Sequence, residues 1–132
     1  MRIPVSATLP AIMCLLAGLI YAPPTFALGR APSPAECKTK PSNPVIQGGC
    51  LVINKRLGNC VACHVIAGTS MDGNVGPALH DVQHMVSSKQ VLFEQIWDPE
   101  KRAPNTAMPP FGKNRILTRQ QITKIVDFLW TI

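Results

Sequence analysis

Residues 60–64 read Cys60-Val61-Ala62-Cys63-His64, and no other stretch restricts the fold of this chain so strongly. The C-x-x-C-H spacing is the attachment signature of c-type haem. Two thiols so spaced can add to the two vinyl groups on one edge of a porphyrin. The residue after the second thioether is then carried under the ring, where its imidazole can bind iron. A thioredoxin-type redox pair or half of a zinc site would use the same two cysteines. A zinc site needs two further thiolates or imidazoles at compatible spacing, and a redox pair needs a βαβ surrounding. Neither pattern is visible in the sequence.

The start of the chain agrees with that chemistry, which takes place after export. Arg2 precedes an apolar stretch at 9–21, and Pro23-Pro24 leads to Thr25-Phe26-Ala27, a small-x-small cleavage pattern. Residues 1–27 therefore read as a cleavable signal peptide for the periplasm. The apolar stretch is short of the roughly 20 residues of a membrane span, so no span is expected in the mature form. Cys14 leaves with the leader. No small-residue box precedes it, which argues against a lipid-anchor site. Cleavage after Ala27 leaves 105 of the 132 residues, one domain. The formal charge of +6 drops to +5 without Arg2. Lys101, Arg102, Lys113, Arg115 and Arg119 suggest either a basic rim that steers an acidic partner or an ordinary solvated face. No aromatic-interleaved basic stripe is present, which argues against nucleic-acid binding.

Residues 28–44 hold four prolines among Ser, Lys and Thr, a composition that predicts an extended, partly ordered arm. Residues 45–132 form the expected folded domain. Val45, Ile46, Cys50, Ile53 and Leu57 fit one helical face, and Gly58-Asn59 would stop that helix before the motif. Gly48 and Gly49 weaken it by roughly 1 kcal/mol each relative to Ala. Close approach of another helix, or a frayed start, would explain them. Residues 65–77 are glycine-rich and polar, a loop passing the ring. A short helix is expected at 79–85. Another is capped by Ser87 or Ser88, with Leu92, Phe93, Ile96 and Trp97 as its apolar patch, and ends at Asp98-Pro99. Thr118 and Gln121 form a T-x-x-Q capping box, followed by Ile122, Ile125, Val126 and Leu129 at helical spacing. No strand is expected.

His64 supplies one axial ligand, and the sixth position decides between electron transfer and small-molecule binding. A thioether closes the site and favours Fe(II). Met71 is only seven residues past His64, too near to pass round the ring edge. Met85 fits equally well as packing on a short helix. Met108 lies in Met108-Pro109-Pro110-Phe111-Gly112, where two prolines fix the backbone and hold the sulfur with little freedom. Met108 is therefore the expected ligand, with the imidazoles of His80 and His84 as alternatives. A ligating histidine normally donates its other N–H to a carbonyl or carboxylate. Gly76-Pro77 could present such a carbonyl, or be a simple turn.

In that order of segments the chain resembles class I cytochromes c, an all-α fold of three to five helices around one covalently attached haem c. More narrowly, Gly58-Asn59-Cys60-Val61-Ala62-Cys63-His64, Asn74-Val75-Gly76-Pro77-Ala78-Leu79, Ile96-Trp97-Asp98-Pro99 and the Met108 loop together resemble the SoxX family. Those proteins are the small mono-haem subunits of SoxAX cytochromes in sulfur-oxidising bacteria. The resemblance implies His64/Met108 ligation and a SoxA-like partner, at whose haem thiosulfate is joined to a cysteine of a SoxYZ-like carrier. It also implies onward transfer of electrons to a soluble cytochrome. Such a subunit accepts electrons and is not an enzyme alone. A freestanding carrier serving a terminal oxidase, or a ligand-binding haem protein, would share most of these segments.

Cys37 and Cys50 lie outside the motif. In an oxidising compartment a disulfide between them is expected, worth roughly 3 kcal/mol in the chain-entropy model. Two unpaired thiols, or Cys50 as a small buried residue, are the other options.

Overall fold

A computed structural model describes residues 29–70 and 73–132. The expected signal peptide, Cys14 and Met71 lie outside those residues. The described residues form five α-helices joined by loops and two short 3-10 turns, with no strand among them. The helices are α1 (Pro34–Lys38), α2 (Pro44–Ile53), α3 (Val82–Met85), α4 (Lys89–Trp97) and α5 (Arg119–Leu129).

The sequence explains where α5 begins and which face it buries. Thr118 Oγ1 accepts from the Gln121 amide at 3.2 Å while Gln121 Oε1 accepts from the Thr118 amide at 2.8 Å, the reciprocal cap expected from T-x-x-Q. Ile122, Ile125, Val126, Phe128 and Leu129 then form the buried stripe. Ser88 caps α4 through the Val91 amide, and Leu92 and Ile96 face inward. α2 opens with Asn43 as cap and Pro44 in its first turn.

α2 packs chiefly on α5, and this crossing carries the core. Val52, Ile122 and Phe128 are fully buried there, each worth about 1.5–3 kcal/mol by area. Gly48 makes the crossing possible. A side chain there would collide with the Lys124 backbone carbonyl of α5. Beside it, a Cβ on Gly49 would lie 3.1 Å from Phe128 Cδ2. Close approach, not a frayed start, is the reason for both glycines: α5 presses on Gly48, and the Pro32 ring of the arm, nearer than Phe128, presses on Gly49.

Three expectations fail. The short helix expected at 79–85 covers only Val82–Met85, because Asp81 before it takes a left-handed φ of 49°. α2 stops at Ile53, four residues before Leu57. Asn54 turns the chain there: its side chain accepts from the Arg56 amide at 2.9 Å and its carbonyl accepts from Leu57 and Asn59. A local side-chain bond outcompetes helix continuation. The proline-rich arm is also more structured than its composition suggests. Ala31 and Pro32 are buried, and the Ala31 amide donates to Ala67 at 2.7 Å. Ser33-Pro34-Ala35-Glu36 forms a full capping box that starts α1. Cys37 and Cys50 are joined, with Cα atoms 5.6 Å apart, fastening α1 to α2.

Glu36 reports on this arm. The Ser33 backbone amide, then the Arg30 side chain, hold its carboxyl at about 2, below the usual 4.5. A folded value below the unfolded one stabilises above 4.5 and loses that contribution as the pH falls through about 2. The Ser33 amide resonance is therefore expected to titrate with a midpoint near 2; a midpoint near 4.5 would mean the cap is open in solution.

A candidate haem pocket

The motif folds as one tight turn. Asn59 enters with φ of 46°, residues Cys60–Ala62 make a 3-10 turn, and the Cys63 and His64 amides both donate to the Cys60 carbonyl at 3.1 and 2.9 Å. Loop 73–79 is laced back along this turn. The Gly73, Gly76 and Leu79 amides donate to the carbonyls of Val61, Cys63 and Val65, each at 2.8 Å. That lacing brings the Pro77 carbonyl to His64, whose Nδ1–H donates to it at 2.7 Å. A Pro77 carbonyl can only accept, so Nδ1 carries the proton and Nε2 keeps its lone pair for a metal. Gly76 lies flat against the imidazole; a Cβ there would sit 2.7 Å from Nδ1 and collide with the ring carbons. Gly76-Pro77 is thus more than a turn: it seats the histidine.

Cys60, Cys63, His64 and Met108 all line one cavity of about 490 Å³, in the range of cofactor sites. Leu79, Val82, Leu92, Ile96, Leu117 and Leu129 give it apolar walls from α3, α4, α5 and their loops. Cys60 and Cys63 are unbridged. Burial pushes the Cys60 thiol up to about 12. A neutral thioether suits such a place, whereas a redox or zinc site needs a thiolate. Among the described residues no group of three or more His, Cys, Asp or Glu could hold a metal by itself.

The other candidate ligands separate clearly. His80 bonds Asp81 at 3.3 Å in solvent, and neither it nor His84 lines the cavity. Met85 does line it but is 44% exposed, whereas Met108 packs against the core. Thr106 Oγ1 accepts from the Met108 amide at 3.2 Å, fixing the backbone that carries the sulfur. This short Thr-x-Met bond was visible in the sequence as an ST-turn pattern.

The expected basic rim is partly spent inside the fold. Lys113 pairs with Asp98 and Glu100 at 3.3 and 3.2 Å. The Glu100 hydrogen bond, then Asp98, raises its pKa. Arg119 lies over Phe93 and Trp97, 5.3 and 4.7 Å from the ring centroids. Among the described residues, Arg102 is the one Asp, Glu, Lys or Arg side chain that lines the cavity. No local sequence signal marks it for that role.

These residues fit haem c. Cys60 and Cys63 would hold the porphyrin edge, the apolar walls would cover the ring, and Arg102 would supply positive charge for a propionate.

The comparisons agree with that fit. The family model described as cytochrome c matches residues 52–132, from the last two residues of α2 to the last residue of the chain. An "Uncharacterized lipoprotein" of Aquifex aeolicus (strain VF5) is 34% identical over 77 residues, covering 54% of this chain and 35% of that protein. The chain thus spans about a third of that relative's length. The family's cofactor is covalently bound haem c, and the matched span contains both cysteines, His64 and Met108: this chain belongs to the cytochrome c family.

Proposed function

We propose that this protein is a single-haem electron carrier with His64 and Met108 as axial ligands, acting as the SoxX-type subunit of a periplasmic thiosulfate-oxidising complex. The 2.7 Å bond from His64 Nδ1 to the Pro77 carbonyl carries the electron-transfer reading, because it fixes one ligand facing a cavity that also contains Met108. Bound haem c supplies a one-electron Fe(III)/Fe(II) couple. With haem c bound, His64 would ligate the iron in a fixed tautomer, and the Pro77 carbonyl would keep its imidazole electron-rich. Met108 would supply a soft thioether ligand that favours Fe(II). The apolar walls would cover the ring, and Arg102 would offset propionate charge.

The SoxX reading rests on the four segments around Cys60, Gly76, Trp97 and Met108. In that role the chain accepts electrons at a SoxA-like partner while thiosulfate is coupled to a SoxYZ-like carrier, and passes them to a soluble cytochrome. The family and the lipoprotein relative support a place outside the cytoplasm. No helix among the described residues is long and apolar enough to cross a membrane.

Two measurements test the proposal. Reduced wild-type protein should leave carbon monoxide unbound at neutral pH, and Met108→Ala should bind it at least about tenfold more readily because the competing ligand is gone. Free binding by the wild type sinks the ligand assignment. Co-purification with a SoxA-like cytochrome from thiosulfate-grown cells supports the complex; an intact His/Met spectrum with no such partner favours a freestanding carrier.

A further inference from the structure

The loop that carries Met108 is closed at its base by contacts among residues that do not line the cavity. The Trp97 carbonyl ends α4 and accepts two amide protons from the far side of the loop, Gly112 at 3.2 Å and Lys113 at 3.1 Å. The Lys113 ammonium then reaches back across the base to Asp98 at 3.3 Å and Glu100 at 3.2 Å. Asp98 is 6% exposed, so this anchor is held inside the protein. Gly112 lets the closure happen, since a Cβ there would overlap the Trp97 indole. The Arg119 guanidinium over Trp97 ties the same ring to the start of α5.

Residues 98–113 therefore form an Ω-type loop whose two ends are fastened together. Its inward side contributes Thr106, Met108 and Phe111 to the cavity. Two prolines stiffen the backbone beside the methionine, but local stiffness alone does not fix where the segment stands relative to His64. That distance is set where the loop joins the fold. A thioether holds Fe(III) weakly, so a small loosening at the base shifts the population toward the sulfur-off state.

We propose that Lys113, clamped across Asp98 and Glu100 beside the Trp97 carbonyl, is a positioning residue for Met108 as axial ligand. This rests on the Met108 reading given above. The clamp governs how often the sulfur leaves the iron, and hence how readily the ferric protein accepts a foreign ligand. Lys113 is half-exposed and is not among the residues that line the cavity, so its influence is exerted through loop position.

The experiment is imidazole titration of the ferric holoprotein, read from the absorbance change as the methionine is displaced. Lys113→Gln should raise apparent imidazole affinity about fivefold, the ratio of open fractions, and Lys113→Arg should return it near wild type. Helical content should be unchanged in both variants. Met108→Ala serves as the reference: it should bind imidazole tightly and lose the weak far-red band of Met-ligated ferric haem. If Met108→Ala behaves as described while Lys113→Gln stays within twofold of wild type, the clamp is overturned and the ligand assignment survives. If Met108→Ala matches wild type, the ligand assignment fails and the clamp falls with it. An affinity increase in Lys113→Gln that Lys113→Arg does not reverse also overturns the clamp.

Discussion

A chain in which Cys60 and Cys63 are both serine, purified free of haem, is expected to lose most of its helical circular-dichroism signal. The argument is one of volume. The cavity measures about 490 Å³ and its walls are largely apolar, with leucine, isoleucine and valine joined by methionine, proline and phenylalanine. At about 24 cal/mol per Å³, an empty space of that size costs on the order of 10 kcal/mol, an upper bound because the mouth is open to water. A whole domain is stable by only about 5–15 kcal/mol. α3 is four residues long and α4 nine, too short to persist without the ring they pack against. Among the described residues, the α2–α5 crossing and the arm bridged to it hold most of the packing that lies away from the cavity. Circular dichroism checks this directly: a native-like helical spectrum with a cooperative thermal transition would refute it.

Gly48→Ala should be the most damaging single-methyl change outside the pocket. Two effects oppose one another. Helix propensity alone favours alanine by about 1 kcal/mol inside a helix. Against it stands the Lys124 carbonyl, already so near that the added carbon has no room. Carbon and carbonyl oxygen need about 3.3 Å, so α2 and α5 must separate by more than an ångström. A radial gap of that order forfeits a quarter to a half of each dispersion contact across Val52, Ile125 and Phe128, all at most 1% exposed. The steric side wins, with an expected loss of about 3 kcal/mol, or roughly 15 °C in Tm for a domain of this size. Gly29→Ala, with nothing within 4 Å of the added carbon, is the control and should change stability by no more than about 0.5 kcal/mol. Thermal unfolding in which Gly48→Ala gains stability would show that propensity outweighs the contact.

What could be seen in the sequence was whatever is written locally. The start of α5 and the Ser88 cap rest on side chains bonding within four residues, the stop at Asp98-Pro99 on the restriction a proline places on the residue before it, and each stands in the structure. The same local logic was available for Ser33-x-x-Glu36, where proline content obscured a capping box. It was also available for Asn54, whose side chain ends α2 early. The site divides in the same way. Cys60, Cys63 and His64 are one turn and announce themselves. Lys113 with Asp98 and Arg102 in the cavity wall depend on how the loops close in space. Charge alone placed these residues on a surface, although two of the five basic side chains considered are committed to partners within the fold.

The bridge between Cys37 and Cys50 has a consequence for how the protein is made. In the periplasmic role proposed above, Cys37, Cys50, Cys60 and Cys63 would share one oxidising compartment, and four thiols can be paired in three ways. One pair must be oxidised to each other, while the other pair must stay reduced until a porphyrin reaches them. Cys50 is only ten positions from Cys60, nearer in sequence than its proper partner Cys37 is to it. Biogenesis is therefore a sorting problem between two sulfur chemistries, and a host cell that oxidises thiols faster than it delivers haem would fill with misbridged chain.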